Sequence, residues 1–82
     1  MAKTLHILRN LDIRLCQETL NAPAGDSVLL IQDGVLGRDH FDCEVRVCRD
    51  DLTARNMESS HKALSYTEIK DLMLAHDRVI LW

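Results

Sequence analysis

The stretch that most constrains this chain is Val28–Ile31 followed by Gln32-Asp33-Gly34-Val35. Four apolar residues in succession leave no polar face, so a strand built from them must be covered on both sides. Strands of that kind sit inside parallel sheets, with helices packed above and below. The run then stops at an acidic residue and a glycine, which is turn chemistry. In open parallel sheets, ligands and partners meet the carboxyl ends of the strands. Asp33, Gly34 and Val35 are therefore candidates for contact with a partner or ligand. The plainer account has Asp33 capping the next turn and Gly34 taking a backbone angle closed to other residues.

The remaining segments alternate between strand and helix. Residues 3–9 predict a strand. Residues 11–21 predict a helix, because Leu11, Ile13, Leu15, Cys16, Thr19 and Leu20 share one arc at about 100° per residue. Pro23 and Gly25 end it. In residues 44–49 Val45 and Val47 share one face while Arg46 and Cys48 share the other. That pattern predicts a strand well covered on one side, with Cys48 the more accessible thiol. Residues 50–56 predict a short helical turn, acidic at its start, with Asn56 as a left-handed cap. Residues 61–64 predict a short strand. Ser65 and Glu68 form a capping box, and Leu64 with Ile69 a hydrophobic staple, opening a helix over 65–76. Tyr66, Ile69, Leu72, Met73 and His76 lie on one of its faces. Residues 78–82 predict a buried closing strand. Such alternation implies one α/β domain over residues 1–82, with a mostly parallel sheet and helices packed on it.

Charge and composition exclude several function classes. The net charge is −3, and the Lys and Arg residues are scattered, which argues against strong direct binding to nucleic acid or to an acidic membrane. Phe41, Tyr66 and Trp82 are few aromatics for stacking on bases. No apolar run approaches the roughly 20 residues of a membrane span, and the start has no small-residue cleavage site. Three cysteines are an odd count for a disulfide framework, so the expected setting is the cytoplasm, with reduced thiols.

The chemistry-bearing residues are sparse. GVLG is neither a dinucleotide-binding nor a phosphate-binding loop, and there is no GxSxG elbow. His6, His40, His61 and His76 lack ligand spacing, so neither a metal nor a cofactor is expected. His6 reads as a strand residue satisfied by hydrogen bonds. His76 sits near a helix C-terminus, where the dipole favours its charged form. Asp50 and Asp51 are accounted for by a helix start. Cys43 and Cys16 are the two candidate thiols. Sulfur chemistry needs a thiolate. Arg38, His40 and Arg46 would lower the pKa of Cys43, whereas Asp42 and Glu44 would raise it. Cys16 lies in the apolar arc of its helix, where burial makes a thiol inert. Cys43 and Cys48, an odd number of positions apart in extended chain, point to opposite faces.

Several pieces occur in a telling order: Leu5-His6, LLIQDGV over 29–35, DLTARN over 51–56, SYTEIKDLMLAHDRV over 65–79, and Trp82. In this the chain resembles the TusB/DsrH family of sulfur-relay subunits across nearly its whole length. The resemblance implies a small flavodoxin-like (DsrEFH-like) fold with helices on both faces of the sheet. It also implies assembly with TusC/DsrF-like and TusD/DsrE-like subunits, and a part in persulfide transfer for tRNA wobble-uridine 2-thiolation or in sulfur oxidation. The principal sulfur-carrying cysteine of such complexes belongs to the TusD/DsrE-like subunit, so this chain is expected to be mainly an assembly partner. The alternative is a stand-alone persulfide carrier using Cys43 or Cys16. Two departures stand out. The link from Gly34 to Glu44 is short, which reduces or removes a helix and leaves self-association as a homo-oligomer open. Asn56 replaces the usual Gly.

Overall fold

The computed structural model describes residues 2–82. The buried run forms the centre of a five-stranded, all-parallel sheet, as its composition requires. The strands are β1 (Thr4–Leu8), β2 (Ser27–Leu30), β3 (Glu44–Cys48), β4 (Lys62–Leu64) and β5 (Arg78–Leu81), in spatial order β4-β3-β2-β1-β5. This is a small α/β fold of the flavodoxin-like kind. Its strand order steps from β1 to β4 in one direction and then returns to the far side of β1, unlike the 2-1-3-4-5 order of flavodoxin itself. Right-handed crossovers in one direction place their links on one face, and the single return crossover places its helix on the other.

The core divides accordingly. On the first face, α1 (Arg14–Thr19), the 3₁₀ turn Gln32–Leu36 and α2 (Arg49–Ala54) cover the sheet. There Leu8, Val28, Leu30 and Val47 pack with Cys16, Val35, Phe41 and Leu52. On the second face lies α3 (Tyr66–Leu74), whose Ile69 and Leu72 pack on Leu5, Ile7 and Leu29. Fully burying one such leucine contributes about 2 kcal/mol.

The capping box is present as the sequence predicts. The Ser65 hydroxyl accepts from Glu68 N–H at 3.3 Å, and the Glu68 carboxylate accepts from Ser65 N–H at 3.1 Å. Ser65→Ala is expected to lower stability by about 1 kcal/mol. Urea unfolding reads this as a lower midpoint at unchanged slope. An unmoved midpoint would refute the cap's contribution. Asn56 takes the expected left-handed conformation, with φ of 51°.

Three expectations fail, each for a physical reason. The first helix covers only Arg14–Thr19, followed by a 3₁₀ turn at Ala22–Ala24. Of its apolar arc, Cys16 is buried while Leu11 and Leu15 are 55% and 64% exposed, because one short helix cannot turn so wide an arc toward the sheet. The closing strand is not buried. β5 is an edge strand, and α3 does not cover Val79 or Leu81, which is 54% exposed. Cys48 is buried rather than accessible: it ends β3 on the face that α3 covers, and α2 begins at the next residue.

Candidate functional site

Gly34 sits where the turn after β2 crosses the end of β1. A Cβ there would lie 2.2 Å from the Leu8 carbonyl oxygen. That oxygen is held in place by Ile31 N–H at 3.0 Å. Glycine is therefore required for close approach of two backbones. The left-handed residue of this turn is Gln32, with φ of 49°, and not Gly34. Val35 is buried in the core, so of the three contact candidates only Asp33 presents its side chain to solvent.

Asp33 does not cap the turn. Its Oδ1 accepts from Arg55 Nη2 at 3.0 Å. Arg55 also donates to the Asp51 carbonyl at 3.2 Å, and the Asp51 carboxylate accepts Gln32 N–H at 2.7 Å. Asp51 thus both opens α2 and closes the turn after β2. Two of the quoted segments, LLIQDGV and DLTARN, are bound to each other at the carboxyl end of the sheet.

A second pair of segments meets on the first face. The Trp82 indole lies parallel to the His6 ring and beside it, with 6.1 Å between ring centroids and 6° between planes. Trp82 Nε1–H donates to His6 Nδ1 at 3.1 Å. An indole N–H can only donate, so Nδ1 is the acceptor and His6 carries its proton on Nε2. That proton is donated to Asp26 Oδ2 at 2.9 Å. Asp26 also accepts backbone N–H groups from Thr4 and Asn21, each at 3.0 Å. Burial pushes the Asp26 carboxyl up, but the hydrogen bonds from His6, Asn21 and Thr4 outweigh it and hold the carboxyl below the ordinary aspartate value. Both His6 nitrogens are engaged, as the sequence predicts. Asp26 was not legible there: after Pro23 and Gly25 it looks like one more turn residue, and nothing in the spacing links it to a histidine a full crossover away.

The thiols lie in unfavourable surroundings for nucleophilic chemistry. Burial, then the charges of Cys43 and Asp26, push Cys16 up to about 11. At pH 7 that leaves on the order of one thiolate in ten thousand. Cys43 is half-buried and is also raised, by burial first and then by Asp26, Asp42 and Glu44. Two of the three groups expected to lower it are paired with the neighbouring acids. His40 Nε2 lies 2.9 Å from Asp42 Oδ1, and Arg46 Nη2 donates to Glu44 at 2.6 Å. Cys48 is raised by burial. Among the described residues no group of three or more His, Cys, Asp or Glu is placed to hold a metal ion. Among the described residues no helix is long and apolar enough to cross a membrane.

A cleft of about 650 Å³ opens beside α1, lined by Leu20, Pro23, His40, Phe41 and Asp42 among others. No thiol lines it. No protein-family model and no curated protein matches the chain.

Proposed function

We propose that this chain is a subunit of a sulfur-relay complex of the TusB/DsrH kind. It assists persulfide transfer, for tRNA wobble-uridine 2-thiolation or sulfur oxidation, as a mainly non-catalytic assembly partner. The observation that carries this reading is the pairing of the segments behind the resemblance. His6 joins Trp82, and the 29–35 segment joins 51–56 through Gln32, Asp33, Asp51 and Arg55. Residues quoted for their order in the sequence thus act on one another in the fold. The raised thiols fit a subunit whose complex keeps its sulfur-carrying cysteine elsewhere. The exposed apolar side chains Leu11, Leu15, Leu74 and Leu81 fit a protein that buries more surface on assembly.

The test has two arms. Co-expression with TusC/DsrF-like and TusD/DsrE-like chains should yield one complex on size-exclusion chromatography. A chain that stays monomeric beside both overturns the assembly reading. Separately, the purified protein is exposed to a persulfide donor and weighed intact, before and after reductant. The expected mass is unchanged. A reversible gain of one sulfur atom, lost in Cys43→Ser, would favour the stand-alone carrier, since Cys43 is the one cysteine that is not fully buried.

A further inference from the structure

The sheet face beneath α3 changes character from one edge to the other. Leu81, Ile7 and Leu29 stand in one row across β5, β1 and β2, and the row continues into Arg46 and Lys62 on β3 and β4. A guanidinium laid on a sheet face has lost much of its water and requires partners. Arg46 Nη2 has Glu44, but Nη1 is buried with none. A second buried nitrogen without a partner, His76 Nε2, belongs to a side chain lining the same cleft. His76 Nδ1 lies 2.8 Å from the Leu72 carbonyl, which can only accept, so Nδ1 carries the proton. The Nε2 of the neutral ring then presents a lone pair.

The cleft has a volume of about 350 Å³, and Lys3, Ser27, Glu44, Arg46 and His76 contribute to its wall. The Lys3 ammonium makes no ion pair among the described residues. Two acids also reach the cleft. Asp26 already accepts three hydrogen bonds, and the largely exposed Glu44 is turned to Arg46. An occupant that satisfies the open positions needs acceptor oxygens for Arg46 and Lys3 and one hydroxyl for His76. A carboxylate lacks the hydroxyl, whereas a monohydrogen phosphate group has both.

We propose that this cleft binds a small oxyanion of the phosphate class, with its oxygens on Arg46 and Lys3 and its hydroxyl on His76 Nε2. The two unpartnered nitrogens are closed to bulk water, so entry displaces the Glu44 carboxylate and turns the Arg46 side chain, which is 24% exposed, toward the ligand. The volume is at the small end for ligand pockets and holds such a group with room for a short substituent on it. The proposal is independent of the sulfur-relay reading.

The experiment is a ¹H–¹⁵N NMR titration with inorganic phosphate and, separately, glycerol phosphate, each against sodium chloride at the same ionic strength. Saturable shifts at the amides of Ser27, Arg46 and His76 are expected. Tighter binding of inorganic phosphate identifies the free ion, and tighter binding of glycerol phosphate a phosphomonoester. Arg46→Gln should weaken binding at least about tenfold, through loss of a charge-assisted hydrogen bond. Lys3→Gln should weaken it by a smaller factor, and its exposed side chain keeps the test open if Arg46→Gln does not fold. Shifts no larger than those from chloride, or an affinity unchanged in every variant that folds, overturn the proposal.

Discussion

Gly34→Ala is expected to destabilise the fold by about 3 kcal/mol or more, the upper range for forcing extra volume into a packed site. A Cβ at this position meets the Leu8 oxygen at 2.2 Å and the Leu8 carbonyl carbon at 3.0 Å. Neither atom belongs to a flexible side chain. Relief requires lifting the 3₁₀ turn off β1, which breaks Ile31 N–H to Leu8 O and draws Val35 out of the core. Lifting the turn also disturbs Gln32 N–H on Asp51 and Asp33 on Arg55, so α2 loosens with it. Gly37 is the internal control. Its added Cβ would stand 3.2 Å from the Gly34 oxygen and 3.8 Å from Leu11, distances a small adjustment relieves. Thermal unfolding should therefore separate the two variants, with Gly34→Ala at least about 12 °C below Gly37→Ala for a domain of this size. Equal melting temperatures would disprove the close-approach account.

That contrast shows what was legible in the sequence. Val28–Ile31 announces a strand covered on both faces because apolar periodicity is a local signal, and the same holds for the Ser65/Glu68 cap. The reason for Gly34 is not local. The sequence suggests a positive φ, whereas the structure uses the missing Cβ to pass β1, which precedes it by a whole crossover. The edge position of β5 was hidden likewise: Val79, Ile80 and Leu81 have the composition of a central strand, and only the return crossover places them beside β1 with one side open. Cys48 was misread for a related cause, since alternation along β3 names its face but not what α2 and α3 lay over it. Of the candidate site, His6 and the thiols were visible as residue types. Their neighbours decide their chemistry. Asp26 raises both Cys16 and Cys43 while it holds His6, yet no spacing or pattern in the sequence singles it out.

Asp26→Asn should be nearly as damaging, at about 3 kcal/mol, because it reverses polarity inside a closed chain of hydrogen bonds. Asp26 offers only acceptors, and three N–H groups use them. An asparagine amide replaces one acceptor with a donor. Facing His6 and Asn21, its NH₂ opposes two donors; flipped, it opposes Thr4 N–H. If His6 shifts its proton to Nδ1 to escape, that proton meets Trp82 Nε1–H. No arrangement satisfies every group, so the misfit travels to the end of β5. Trp82, the chain's one tryptophan, reports it: its emission should shift in folded Asp26→Asn as its hydrogen bond to His6 loosens. The pH dependence follows from linkage. The folded carboxyl is held below its unfolded value, so native Asp26 binds fewer protons than unfolded Asp26. Its stabilisation is fully present above the unfolded value of about 4 and is lost as pH falls through the lowered folded value. The gap in melting temperature between wild type and Asp26→Asn should therefore be widest near neutrality and narrow below about pH 4. A gap that stays constant down to acid pH, with Trp82 emission unchanged, would mean that Asp26 serves only as a spacer and that its charge does not hold His6 and Trp82 together.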